Sequence, residues 1–148
     1  RVSNFLDRII QNKIIFNSTE IEKENNDLNI QVFDSIIDKI YMNSYFFKEN
    51  VDYASKYLKR SGIQSNKTKL REMVALAFLG KFKKLRASFE KIKENEIENN
   101  DLMTYYFLKY LINKKFDKNK YDENDIYLNP NFNQYKERAN KILNFYNS

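Results

Sequence analysis

Two glycines and one proline in 148 residues leave this chain with almost nothing that breaks a helix. β-Hairpins and tight turns need Gly, Asn-Gly or Pro at fixed positions. Helices need such residues only at their ends. The expected fold class is therefore all-α. A 42% hydrophobic and 16% aromatic composition supplies enough apolar surface for one domain, 1–148, with a real core. The absence of Cys excludes disulfides and thiolate metal sites.

Apolar spacing divides the chain into segments of helical period. Residues 3–16 place Phe5, Leu6, Ile9, Ile10, Ile14 and Ile15 at helical offsets. Residues 17–27 hold one apolar residue, Ile21, and read as a linker or a solvated helix. Residues 28–48 carry the stripe Ile30, Phe33, Ile36, Ile37, Ile40, Tyr41 and Tyr45. Lys48, Glu49 and Asn50 interrupt it, and Val51, Ala54, Tyr57 and Leu58 resume it up to a C-terminal cap at Gly62. Ser65, Asn66 or Thr68 starts the next helix, whose face is Leu70, Met73, Val74, Ala77 and Phe78.

Gly80 then turns the chain back, and Phe82, Leu85, Phe89 and Ile92 form the face of the partner helix. The stretch 94–101 is polar. Residues 102–112 are apolar nearly all round, as a helix buried on more than one side should be. Residues 117–131 are charged, rich in Asn and closed by Pro130, and predict a loop. Residues 132–147 predict a terminal helix with Tyr135, Ala139, Ile142 and Leu143 inward.

Gly80 also fixes a phase. Gly80-x-Phe82-x-x-Leu85-x-x-x-Phe89-x-x-Ile92 resembles the second helix of a tetratricopeptide repeat, in which small positions let antiparallel helices approach and aromatics fill the groove between pairs. Glu49-Asn50-Val51-x-x-Ala54-x-x-x-Leu58 resembles an earlier copy. Lys114 falls one period of about 34 residues after Gly80, with Phe116 at the aromatic position and Phe107 and Tyr110 at first-helix packing positions. Met73 and Leu85 stand where that family has small residues. The resemblance spans about residues 32–116. It implies stacked antiparallel helix pairs, a TPR-like solenoid with flanking helices. A generic antiparallel bundle would need the same apolar stripes.

A looser likeness is to the C-terminal domains of peptide-sensing regulators of the Rgg, PlcR and PrgX kind. It implies a concave peptide-binding groove and a homodimer. The helix-turn-helix of those regulators is not found in this sequence.

With no His, Ser-His and Cys-His nucleophile arrangements are absent, and neither Gly lies in a phosphate-binding loop. No enzymatic activity, metal or cofactor is expected. Asp34 and Asp38, at i and i+4, would share a proton or a divalent ion only if buried. No apolar run reaches the ~18–20 residues that span a bilayer. A cytoplasmic location is expected, although a chain without Cys also suits an extracellular one. The chain begins on Arg1, as a fragment or a processed form would.

The leading functional expectation is a non-enzymatic protein- or peptide-binding scaffold. Under the repeat phase, Lys39, Asn43, Lys67, Asp101 and Thr104 face the concave surface, where they would clamp an extended peptide's backbone or carboxylate. The alternative is nucleic-acid binding. Residues 51–93 carry 12 Lys/Arg against 3 Asp/Glu, a net +9, whereas the whole chain is +6. The candidate phosphate contacts there are Lys56, Lys59, Arg60, Lys81, Lys84 and Lys91, with Tyr53, Tyr57 and Phe78 close enough in sequence to stack on bases if exposed. A helical surface or structural protein is a third expectation. Ordinary solvated helix faces would carry all of these polar residues as well.

Overall fold

A computed structural model describes residues 18–42, 48–60, 65–117 and 125–147. The expected helix over 3–16, the Gly62 cap, Asn43 and Tyr45 lie outside these residues. Among the described residues every regular element is a helix: α1 Ser18–Met42, α2 Lys48–Arg60, α3 Asn66–Phe78, α4 Phe82–Phe89, α5 Leu102–Phe116 and α6 Asn133–Asn147. Short 3-10 turns lie at Glu94–Glu96, Asn99–Asp101, Asp125–Leu128 and Pro130–Phe132. No helix among the described residues is long and apolar enough to cross a membrane. By contact the chain falls into two compact units, Arg1–Arg71 and Glu72–Ser148.

In the first unit α1 packs along α2. Of the two expectations for 17–27, the helical one holds from Ser18 onward, because α1 begins there. The inward residues of α1 are Ile30, Val32, Phe33, Ile37 and Ile40, together with Asn29. Val51, Ala54, Tyr57 and Leu58 are the buried residues of α2, as their spacing predicts. Lys48, Glu49 and Asn50, which interrupt the apolar stripe, are exposed and open α2, where Glu49 suits the positive end of the helix dipole. Ser65 caps α3: its Oγ accepts from Thr68 N at 3.3 Å and lies 3.2 Å from Thr68 Oγ1. Arg71 reaches back to α1 and grips Asp34 with two hydrogen bonds, Nε to Oδ1 at 3.2 Å and Nη2 to Oδ2 at 3.1 Å. Asp34 is thus half of an ion pair rather than half of a carboxylate pair.

In the second unit α3 ends in a Schellman turn. Gly80 N donates to Ala77 O at 3.1 Å and Lys81 N to Leu76 O at 2.9 Å, with Gly80 at φ +74°. The helix after the turn takes α5 as its packing partner, and α5 also packs on α6. α4 runs antiparallel to α5. Phe89 stacks on Tyr105 at 4.8 Å near one end, and Lys115 lies over Phe82 at 5.1 Å near the other. α6 runs in the same direction as α5: Phe107 meets Tyr135 at 6.3 Å, and Lys115 Nζ donates to Asn147 Oδ1 at 3.3 Å. α5 continues through Lys114 to Phe116, so the 34-residue offset from Gly80 falls inside a helix and not on a turn. Contact on both sides explains why Tyr105, Tyr106, Phe107, Leu108, Leu111 and Ile112 are all buried.

Two polar stretches turn out to be anchored. Within the expected loop 117–131, Tyr127 is buried against Tyr106, Tyr110 and the adjoining Phe132. Asn129 Oδ1 accepts from Asn131 N at 2.9 Å, and this turn sets Pro130 at the start of the last 3-10 segment. Ile97 is buried in the polar run 94–101. α4 stops at Phe89, so Ile92 lies beyond its helical face.

Tyr146 closes the Gly80 turn. Its hydroxyl donates to Phe78 O, a carbonyl at the end of α3, and its ring meets Phe82 edge-on at 5.7 Å. The ring lies where a side chain at position 80 would have to go.

Candidate nucleic-acid interface

α4 is short and strongly two-faced. Phe82 and Leu85 are buried and Phe89 is half-buried, which leaves Lys83, Lys84, Arg86 and Ala87 outward. The Schellman turn delivers Lys81 to the surface just before it, and Lys91 and Lys93 are exposed just after it. No acidic residue lies within α4; Glu90 follows it directly. Because α5 is antiparallel, its C-terminal end brings exposed Lys114 and half-buried Lys115 to the start of α4.

Two of these cations rest on aromatic rings at the α4–α5 contact. The Arg86 guanidinium lies 4.1 Å from the centre of the Phe116 ring, and Lys115 Nζ lies 5.1 Å from that of Phe82. Glu94, one residue beyond Lys93, turns instead to α5 and accepts from the Tyr106 hydroxyl. Burial, and secondarily the Glu94 charge, raises the Tyr105 phenol above its usual range.

The six cations singled out from the sequence are all exposed. Lys81, Lys84 and Lys91 belong to the second unit. Lys56, Lys59 and Arg60 belong to α2 in the first, where Arg60 lies 4.4 Å over Tyr57 and Lys56 lies 6.0 Å over Tyr53. Of the three aromatics that would stack on bases only if exposed, Tyr53 is half-buried and the other two do not meet that condition. Tyr57 and Phe78 are fully buried, and the Tyr53 hydroxyl is 3.0 Å from that of Tyr57. Spacing alone could not separate these core rings from a stacking platform, because both need aromatics at helical offsets.

The groove positions are not gathered in either unit. Lys39 is exposed and Lys67 half-buried in the first; Thr104 is half-buried and Asp101 buried in the second. Asp101 is therefore not a surface residue open to a peptide. Arg86 stands in the basic stretch, but its ring partner lies 30 positions away, and no sequence spacing links the two. Among the described residues no group of three or more His, Cys, Asp or Glu could hold a metal ion.

Compared with protein families, curated proteins and solved structures, the chain matches none of them.

Proposed function

We propose that this chain is a non-enzymatic helical binding protein that engages the phosphate backbone of nucleic acid through the basic face of α4. The observation that carries this reading is the concentration of outward Lys81, Lys83, Lys84, Arg86, Lys91 and Lys93 around one helix that holds no acid of its own. Such a strip displaces counterions condensed on a polyphosphate, which gives affinity without sequence recognition. Burial of Tyr57 and Phe78 favours phosphate contact over base stacking. A cytoplasmic location belongs to the same proposal.

The protein- or peptide-binding scaffold, with stacked helix pairs of tetratricopeptide type, stands second. Its support is the shared apolar spacing of α2 and α4, where Val51 and Ala54 are buried in one helix as Phe82 and Leu85 are in the other. Its four described groove positions are divided between the units, and one of them, Asp101, is buried.

The deciding experiment is anisotropy titration of mixed-sequence DNA and RNA duplexes over a salt series. Binding should weaken linearly in log salt, and Lys83→Gln and Lys84→Gln should each reduce the slope by about 0.9 if both contact phosphate. No binding to either duplex at low salt would defeat the proposal.

A further inference from the structure

We propose that Arg86 is the orienting phosphate ligand of this surface, held for bidentate contact by Phe116. The inference rests on the polyanion reading above and goes beyond it, because it separates one geometrically defined contact from a diffuse field of lysines.

The geometry is specific to Arg86. Its guanidinium carbon sits 4.1 Å from the Phe116 ring centre, too close for an approach to the ring edge. A guanidinium lying on a ring face keeps its N–H edges clear of the ring. Those edges form the rigid fork that matches two oxygens of one phosphate. Arg86 itself is exposed, so the fork is open to solvent, while Phe116 is half-buried at the last position of α5 and backs the guanidinium from the protein side. No carboxylate among the described residues is paired with the guanidinium.

The neighbours act differently. Lys83 and Lys84 are exposed ammonium groups on flexible stems, which attract phosphate without fixing its direction. Lys115 is partly committed, since its Nζ donates to Asn147 Oδ1 at 3.3 Å and rests on Phe82. Arg86 alone on this strip combines exposure, a planar fork and a ring support. Ordering a free arginine costs side-chain entropy on binding, and the ring contact lowers that cost before the ligand arrives.

The test compares variants that change charge with variants that change only geometry, on the full chain, with a mixed-sequence DNA duplex and an RNA duplex. Arg86→Gln should weaken binding about tenfold and lower the salt slope by about 0.9. Arg86→Lys keeps the charge, so it should leave the slope unchanged and still weaken binding about threefold to fivefold. Phe116→Leu leaves every charge in place and should do the same, about twofold to fivefold. Unchanged far-UV circular dichroism and melting temperature in these variants confirm that folding is not the cause. If the parent protein binds but Arg86→Lys and Phe116→Leu both bind as it does, Arg86 is only one more point charge and this proposal falls. If the parent protein binds neither duplex at low salt, it is the polyanion reading that has failed. A loss confined to one duplex supports the clamp and identifies which backbone geometry it fits.

Discussion

Replacing Gly80 by Ala tests the packing of the second unit at a single point. Two separate penalties apply. At φ +74° any L side chain is strained, which costs about 1 kcal/mol. The new Cβ would also lie 2.5 Å from Tyr146 Cε1, 2.7 Å from Cδ1 and 2.8 Å from Cζ, inside contact distance of one ring. That ring must move. Moving it gives up the hydroxyl bond to Phe78 O, about 1 kcal/mol, and the edge contact with Phe82, about 0.5–1.5 kcal/mol. The expected destabilisation is about 3 kcal/mol, of which about 2 kcal/mol belongs to Tyr146.

A double-mutant cycle isolates that share. In a Tyr146→Ala background the ring is gone, and Gly80→Ala should cost only the backbone term of about 1 kcal/mol. Gly80→Asn adds a further control. Asn tolerates the left-handed region but still brings a Cβ, so it should recover the strain and not the clash. Urea unfolding followed by far-UV circular dichroism reads these differences as midpoint shifts at constant slope. If Gly80→Ala costs the same with and without Tyr146, the ring does not lie over the turn and Tyr146 does not close the α3–α4 junction.

Phe132→Ala should destabilise by about 3–5 kcal/mol, because the ring is fully buried, whereas Leu128→Ala, four residues earlier and 79% exposed, should shift the urea midpoint hardly at all; equal effects would contradict the packing of 125–132. Asp34→Ala should cost the first unit about 1 kcal/mol, since it strips the carboxylate from an Arg71 side chain that is only 12% exposed, with the loss moderated by the 45% exposure of Asp34 itself. No measurable change in stability would show that the pair contributes nothing.

Burial raises the Tyr146 phenol, and burial with the nearby Glu94 charge raises that of Tyr105. A phenol with a higher folded than unfolded pKa gives stability that is complete below the unfolded value of about 10 and is lost as pH rises past it. The urea midpoint should therefore be insensitive to these groups at neutral pH and fall in alkali, and Tyr146→Phe should remove part of the fall. A Tyr146→Phe profile parallel to that of the parent would refute that assignment.

Local patterns were well expressed in the sequence. Leu70, Met73, Val74, Ala77 and Phe78 are all buried as a helical stripe, and Val51, Ala54, Tyr57 and Leu58 likewise. Gly80 marks a real turn, since only a residue without Cβ fits both its φ and the ring above it. What spacing could not show is what each face meets. Tyr127, Phe132 and Ile97 sit among charges and Asn, so their local context reads as solvent, yet all three are buried, and Tyr127 meets Tyr106 of α5 and the Phe132 ring. Asp34 looks solvated beside Asp38 until Arg71 arrives from 37 residues away. The candidate site divides in the same way. Exposure of the lysines follows from the apolar face of α4, but the support of Arg86 by Phe116 depends on α4 running antiparallel to α5.

The bond from Tyr146 to Phe78 spans 68 residues of chain. During synthesis, at about 5–20 residues per second, the carbonyl end of α3 therefore waits about 3–14 s for the hydroxyl that completes it. Until then the Gly80 turn has its backbone bonds but not its ring. The hydrogen bonds of the Schellman motif need only residues 76–81, so they require no part of the chain made later. Gly80 thus joins a contact made within six residues of chain to one made 68 residues apart, and a side chain at this position would disturb both together.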